Sequence, residues 1–506
     1  MWLNVGVELS NWIYGLAFLP FVVFFGLMLV KRLSLVKVSG MTLLLVMAMS
    51  IVFWQVRLGM LGVAGFRGVL VAFDIFLIIA GAIFFLEVLK ENGVIAGLVY
   101  HLGSVSKDYR VQVIMLAWMV ENFFEGIAGF GVPAALVTPL LVGLGLSPLK
   151  AVVLGLLGNS TAGAFGASGT PTRVGFGVLS NAAVVERGAM FNMVGMIVPV
   201  FMLWILVSGS KERRREFIEA WPFALWSGVV FVVPAYLFSF LGQEFPSILG
   251  SMVGMLVLFL STKIGFLVPK KERWLKQVEY KKVGLSLIKV LAPYLLVVVW
   301  LVGAKAWLGS VKIEVPWSNG YGFSVYNPGW LFLVSGLMVM GWMGGTRKGS
   351  GFFKTALRGA WGPFVVIVLM SVMVQVMTNS GDNAFGWPSM IEMIAGTFRT
   401  RWLPLLTPFI GALGSFITGS VTISSLLFGN FWQMASVNLG MEPETILALG
   451  LVGAAAGNMI ALADVMAAEA VVGLKNMERE VVKGVLIPCL VYLLLVGVWG
   501  MVWVGG

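Results

Sequence analysis

The chain has 506 residues, 59% hydrophobic and 11% charged, with 34 Lys+Arg against 23 Asp+Glu and a net charge of +11. So little polar surface cannot cover a water-soluble globule, so the bilayer is the expected solvent. The basic excess sits in short loops between apolar runs, which is a pattern of membrane topology and argues against nucleic-acid binding.

Without water in the hydrocarbon, spans are helices or closed barrels, and long apolar runs select helices. The runs fall near residues 12–31, 39–56, 69–88, 149–168, 189–208, 219–241, 248–268, 286–308, 327–345, 361–379, 444–466 and 485–504. Each is about the twenty residues a crossing needs, which predicts an all-α polytopic protein with about 12 transmembrane helices. The first run lacks a convincing cleavage site and reads as a span, not a removed signal peptide. Cys489, the single cysteine, lies in the last run and allows no disulfide framework or cysteine metal site within one chain.

Two stretches, 111–146 and 401–430, are too long for one span. Gly126, Gly129 and Gly131 interrupt the first, and Gly411, Gly414 and Gly419 the second; both read as re-entrant hairpins. The strongest basic loops, Lys31–Lys37, Lys211–Arg215, Lys270–Lys282, Arg347–Arg358 and Lys475–Lys483, all fall on the cytoplasmic side if the N-terminus is outside and each hairpin returns to its own side. The two hairpins then enter from opposite faces. This divides the chain into a first inverted repeat (1–210), a connecting helix pair with a basic loop (211–285) and a second inverted repeat (286–506).

Within the first hairpin, Glu121 and Glu125 lie four residues apart on one helical face just before the break, where acids are costly unless functional or paired. Glu125, nearer the break, is the candidate ion carrier; Glu121 divides evenly between that role and pairing with a loop base. From Gly158 to Arg173, Asn159, Ser160, Thr161, Ser168, Thr170 and Thr172 interrupt an apolar helix, as an unwound segment lining a cavity does. Arg173, near the expected outer boundary, reads as snorkelling to water more than as a partner for a carboxylate. In the second hairpin, Ser415, Thr418, Ser420, Thr422, Ser424 and Ser425 are dense enough to replace a hydration shell, with Asn430 capping the far end. Asn458, Asp464 and Glu469 follow. Asp464 and Asp74 divide evenly between coupling and structure, Asp74 with Arg67 or another base.

Glu125-Gly126, Ala128-Gly129-Phe130-Gly131 and Pro133 resemble the E-G-x-A-G-F-G-x-P pattern of the lactate permease family of bacteria and archaea. Asn159, Ala164–Ala167, Gly169 and Pro171 resemble its next signature. Gly414–Phe416, Thr418–Ser420, Thr422 and Leu427–Asn430 are similar to its second-half motif. The sequence departs from the pattern at Val421, where the family often has Asp, and at Asn458, where Lys is common. The resemblance implies uptake of L-lactate, in some members D-lactate or glycolate, with protons, at the cell membrane.

The expected site follows from the residues and the resemblance together. Free hairpin N–H groups with Thr161, Thr418, Ser420 and Thr422 hold the substrate carboxylate, Asn122 or Asn159 meets its hydroxyl, and Glu125 carries the coupled proton. The implied partners are a small organic anion, H⁺ or alternatively Na⁺, and the lipid bilayer. No nucleic acid, cofactor or metal is implied, and a homo-oligomer is compatible. An anion channel is the minor alternative. The Gly166-Ala167-Ser168-Gly169 run has the form seen in intramembrane serine proteases, but the sole histidine, His101, falls in a polar loop with Lys107 and Asp108, so an enzyme is not expected.

Overall fold

The computed structural model describes residues 11–28, 33–103, 105–129, 131–273, 284–317, 322–344, 348–398 and 400–505. Lys31, Arg32, Phe130, residues 274–282 and Arg347, assigned above to basic loops or to the first break, lie outside the described residues. Helices dominate, as a lipid solvent demands. The chain also forms one antiparallel ribbon, β1 (Lys312–Glu314) with β2 (Gly322–Ser324).

In chain order, α1 (Asn11–Met28), α2 (Leu35–Val52) and the long α3 (Leu58–Glu91) precede a short α4 (Val94–Gly103). Next, α5 (Tyr109–Ile114) passes through a π-helical turn into α6 (Glu121–Ile127), and after a break α7 (Val132–Gly143) packs against α6. α8 (Pro148–Ala162) gives way to a distorted α9 (Gly166–Thr170) and a π-helical turn, 171–176. α10 (Ala182–Phe191) and α11 (Val198–Leu206) form one apolar segment, followed by the paired α12 (Arg213–Ser239) and α13 (Pro246–Ile264). The second half comprises α14 (Leu287–Leu308), α15 (Pro328–Met343), the long α16 (Gly349–Asn379), a short α17 (Met390–Thr397), the joined pair α18 (Leu403–Thr418) and α19 (Val421–Asn438), α20 (Pro443–Gly457) broken from α21 (Leu462–Val471), and α22 (Glu478–Gly505).

Among the described residues, ten helical segments are long and apolar enough to cross a membrane, and α1 and α15 are among the shorter apolar helices. Every apolar run of the sequence falls on one of these twelve. The order of elements also recurs. A long helix, a short one, a helix pair joined at a glycine, a helix broken midway and an apolar segment occur once before α12 and again after α15.

Two groups of helices pack side by side. In one, α3 lies against α15 and α16, α2 against α16, and α14 against α15 and α4. Close approach here depends on glycine, because a Cβ on Gly81 of α3 would collide with the Gly329 carbonyl of α15, and one on Gly329 with the Leu77 carbonyl. Small residues allow such backbone contact in lipid, where no hydrophobic drive brings helices together. The other group holds both joined pairs and both broken helices, with α20 packed on α18, α19 and α10 and α22 on α18.

Ionic networks tie these elements together. Buried Arg110 of α5 bonds Asp108 (2.7 Å), Glu219 (3.2 Å) and the Glu216 carbonyl (2.9 Å), and Tyr109 donates to Glu216 (2.7 Å). Arg273 adds Glu212 (2.6 Å) and Glu216 (3.1 Å), and its guanidinium holds the exposed Glu212 carboxyl below the usual carboxylate range. That interaction is present above the ordinary glutamate pKa and is lost only as pH falls through the lowered value, so it persists at neutral pH.

Several local expectations are corrected. Arg173 does not snorkel: its side chain is 9% exposed and pairs with Asp74 of α3 (3.1 Å) and Glu244 (3.7 Å), which also binds Lys305 (2.5 Å). The base that meets Asp74 is therefore Arg173, with Asn327 donating to the other Asp74 oxygen (2.7 Å). A buried guanidinium needs such partners. Asn430 is no cap, since α19 continues to Asn438. Gly411 and Gly414 lie inside α18, where they admit the α20 backbone and Ser424, and Gly419 alone, at φ +68°, breaks that stretch. His101 belongs to α4, its Nε2 3.0 Å from the Leu285 carbonyl.

Gly81→Val is expected to force α3 and α15 apart, costing about 1–3 kcal/mol as overpacking does. Thermal melting of the purified protein in detergent should show a lowered midpoint; an unchanged midpoint contradicts the crossing.

Candidate functional site

Four breaks in helical backbone come together. The first separates α6 from α7, where Gly129 (φ +60°) and Gly131 (φ +74°) take left-handed conformations and Pro133 starts the next helix. The second follows α8, with left-handed Ala167 (φ 44°), Ser168 (φ 53°) and Gly169 (φ 76°). Two consecutive non-glycine residues in that region are strained, at roughly 1–3 kcal/mol each. The third is Gly419-Ser420 between α18 and α19, and the fourth Asn458–Ala461 between α20 and α21.

Backbone groups freed at a break must find partners when no water is present. Around the end of α8 they find side chains. Asn122 Oδ1 accepts from the Ala162 N–H (3.1 Å) and its Nδ2 donates to the Trp118 carbonyl (2.6 Å). Ser247 donates to the Ala162 carbonyl (2.8 Å) and Asn192 to that of Thr161 (2.8 Å), Asn192 being held by Tyr492 (2.7 Å). Thr172 bonds the Gly169 carbonyl (2.9 Å) and Thr170 that of Ala167. In the second half, Thr418 bonds the Gly414 carbonyl (2.8 Å) and Ser424 that of Gly411 (2.8 Å).

Between the breaks lies a cavity of about 20 Å³, room for roughly one water molecule. Its wall is Glu125 and Gly129 from the first break, Gly163, Gly166, Ala167 and Pro171 from the second, Gly419, Ser420, Val421 and Thr422 from the third, and Asn458 from the fourth. The Glu125 carboxyl rests in a glycine cradle: a Cβ on Gly166 would collide with Oε1, and one on Gly129 would lie 3.4 Å from it. Glu125 Oε2 has no hydrogen-bond partner among the described residues, nor does Asn458 Oδ1.

The first turn of α19 faces this cavity. Ser420 caps it, its Oγ accepting from Ile423 N–H (3.3 Å) and its carbonyl from Ser424 N–H (3.0 Å), and Val421 and Thr422 of this first turn line the cavity. A helix N-terminus in this position favours an anion.

Of the residues expected from sequence, Glu125, Ser420 and Thr422 line the cavity. Asn122, Asn159, Thr161 and Thr418 are buried around it; Asn122 and Thr418 bond the broken backbone, Thr161 offers its carbonyl to Asn192 while its hydroxyl meets that of Ser160 (3.3 Å), and Asn159 has no partner for either amide atom among the described residues. Sequence reading left Asn458 and Val421 out of the site, although both departures from the family pattern reach the same wall. Asp464, which sequence alone divides evenly between coupling and structure, abuts Gly131 at the start of α7, where a Cβ would lie 2.7 Å from its Oδ1. Its place one turn after a break was the available signal.

Relatives share this sequence along nearly its whole length. An L-lactate permease of Bacillus subtilis is 28% identical, over 95% of this chain and 94% of its own. A glycolate permease of Escherichia coli is 25% identical over 95% and 94%, and an L-lactate permease of the same organism 25% identical over 96% and 95%. A distant structural likeness is the YdaH transporter of Alcanivorax borkumensis, with a TM-score of 0.43 and 14% identity over 88% of this chain and 86% of that one. The L-lactate permease family profile matches residues 15–312 and 313–505. The chain therefore belongs to the L-lactate permease family and is a multi-pass protein of the cell membrane.

Proposed function

We propose that this protein imports a small 2-hydroxy monocarboxylate, L-lactate foremost with D-lactate and glycolate as related substrates, together with a proton. The observation that carries this reading is the convergence of four helix breaks on a cavity in which Glu125 is the single titratable wall residue among those described. The α19 N-terminus supplies N–H groups suited to a carboxylate, and Ser420, Thr422 and Asn458 supply hydrogen bonds to a carboxylate and a hydroxyl. The buried Asn122, Asn159, Thr161 and Thr418 support that wall.

Proton coupling follows from charge. No base lines the cavity among the described residues, so a bound carboxylate beside ionised Glu125 places two like charges in one enclosed space. At about 4 Å and an effective dielectric near 20 that repulsion is about 4 kcal/mol. A proton on Glu125 removes it, so anion and proton load together. The cavity is smaller than a three-carbon acid, so loading requires its walls to separate. We take 1–210 and 286–506 as inverted repeats, with 111–146 and 401–430 as re-entrant hairpins whose movement exposes the cavity to each side in turn.

Reconstituted into proteoliposomes, Glu125→Gln is expected to lose acid-driven accumulation of labelled lactate by about tenfold or more while part of the exchange activity persists. Unchanged dependence on the pH gradient removes Glu125 from coupling. Val421→Asp adds a fixed negative charge to the wall and is expected to raise KM at least about tenfold, which 1.4 kcal/mol suffices to produce; adding Asn458→Lys should recover most of that loss. A KM indifferent to Val421→Asp places the substrate elsewhere.

A further inference from the structure

Behind the cavity, acids are enclosed without a base among the described residues. Glu121 is fully buried with neither carboxyl oxygen partnered among the described residues, and Asp464 is 4% exposed with Oδ2 unpartnered. Glu121 Cγ lies against Gly158 of α8, where a Cβ would stand 2.8 Å away, and Asp464 Oδ1 against Gly131 of the first break. The carboxyls of Glu121, Glu125 and Asp464 are close enough to act on one another electrostatically.

Asn159 provides an independent observation. Its side chain is wholly buried and both amide atoms lack partners among the described residues. It follows Gly158, which abuts Glu121, and lies one turn beyond Gly155, which abuts Thr138 of α7. At 3.6 residues per turn Asn159 is turned about 40° from the direction of Gly155 and about 100° from that of Gly158, so it points past α7 on the side away from Glu121; α21 packs on both α7 and α8.

Among the described residues, the surrounding elements offer no neutralising charge. α7 and α18 carry no titratable residue. Lys150, at the far end of α8, donates to the Leu206 carbonyl (3.0 Å), Lys263 is at the far end of α13, and Arg173 is engaged by Asp74 and Glu244. On α22, Glu478, Arg479, Glu480 and Lys483 occupy the first turns, and Arg479, Glu480 and Lys483 are exposed. Five residues beyond Asp464, about 7.5 Å along the helix, Glu469 is again buried, with Oε1 unpartnered and a hydrogen bond accepted from the Met477 N–H. Exposed Lys475 and Asn476 follow.

Carboxyls enclosed together in a low dielectric cannot all be charged, and chains of such acids mark proton routes in membrane proteins. We propose that Glu121 and Asp464 form a second proton-binding site behind the substrate cavity, from which Glu469 leads the proton out along α21 to the loop at 472–477. The proton leaves the Glu125 carboxyl for the Asp464 carboxylate, then passes through a water bridge to Glu469 and to bulk water; each donor becomes a carboxylate as its acceptor becomes an acid. This rests on the proton-coupled reading above.

The test uses the full-length protein in proteoliposomes with a trapped pH-sensitive dye, recording lactate-driven proton entry and lactate counterflow from about pH 5 to pH 8. Asp464→Asn and Glu121→Gln are expected to lower proton entry relative to counterflow by about tenfold or more and to flatten its pH profile, and Asp464→Glu to restore both. If Asp464→Asn and Glu121→Gln keep the wild-type ratio and profile, the relay is overturned while the role of Glu125 stands. If Asp464→Glu fails as Asp464→Asn does, Asp464 is structural and the relay is equally overturned. If the wild type carries no protons with lactate or glycolate, the proton-coupled reading falls and the relay with it.

Discussion

A peptide group that leaves a helix inside a lipid solvent must be satisfied by protein or by a polar guest, and the architecture of this molecule follows from that constraint. At the end of α8, backbone groups are met by Asn122, Asn192 and Ser247, three side chains from three different elements. Their convergence fixes where the break sits. The first turn of α19, from Ser420 to Thr422, lines a cavity wall instead, and this difference separates a structural break from one suited to binding.

The charged groups divide along similar lines. Arg173, Asp74, Glu244 and Lys305 neutralise one another, as do Arg110, Asp108 and the glutamates of α12. Each network joins elements from distant parts of the chain, which suits groups that hold segments in register. Glu121, Glu125 and Asp464 have no such counterion among the described residues. An acid retained in an apolar core without a cation is costly, and that cost is accounted for most simply if the acid works by exchanging a proton.

Much of this was legible in the sequence, because apolar run length has a direct physical meaning in a bilayer. The helices, the broken character of 158–173 and the position of Glu125 at a break all follow from residue type and spacing. Other features turned on tertiary contact. Glycine has two uses, left-handed backbone and close helix approach, and sequence does not distinguish Gly419, which breaks a helix, from Gly411, which admits a neighbour. Arg173 looked like a boundary residue because its partners lie 99 and 71 positions away in sequence, at Asp74 and Glu244. Hydroxyl density in the second hairpin was visible, but several of those hydroxyls bond backbone carbonyls, and only Ser420 and Thr422 reach the cavity wall.

Substrate protection of an engineered thiol tests most directly whether the converging breaks form the substrate site. Cys489 is buried and is the chain's single cysteine, so Cys489→Ser gives a background free of thiols into which Ser420→Cys or Thr422→Cys can be placed. The account predicts that a small charged thiol reagent labels these positions from either side of the membrane as the transporter turns over, and that lactate slows the labelling. Labelling from one side only, or at a rate lactate does not alter, would contradict it.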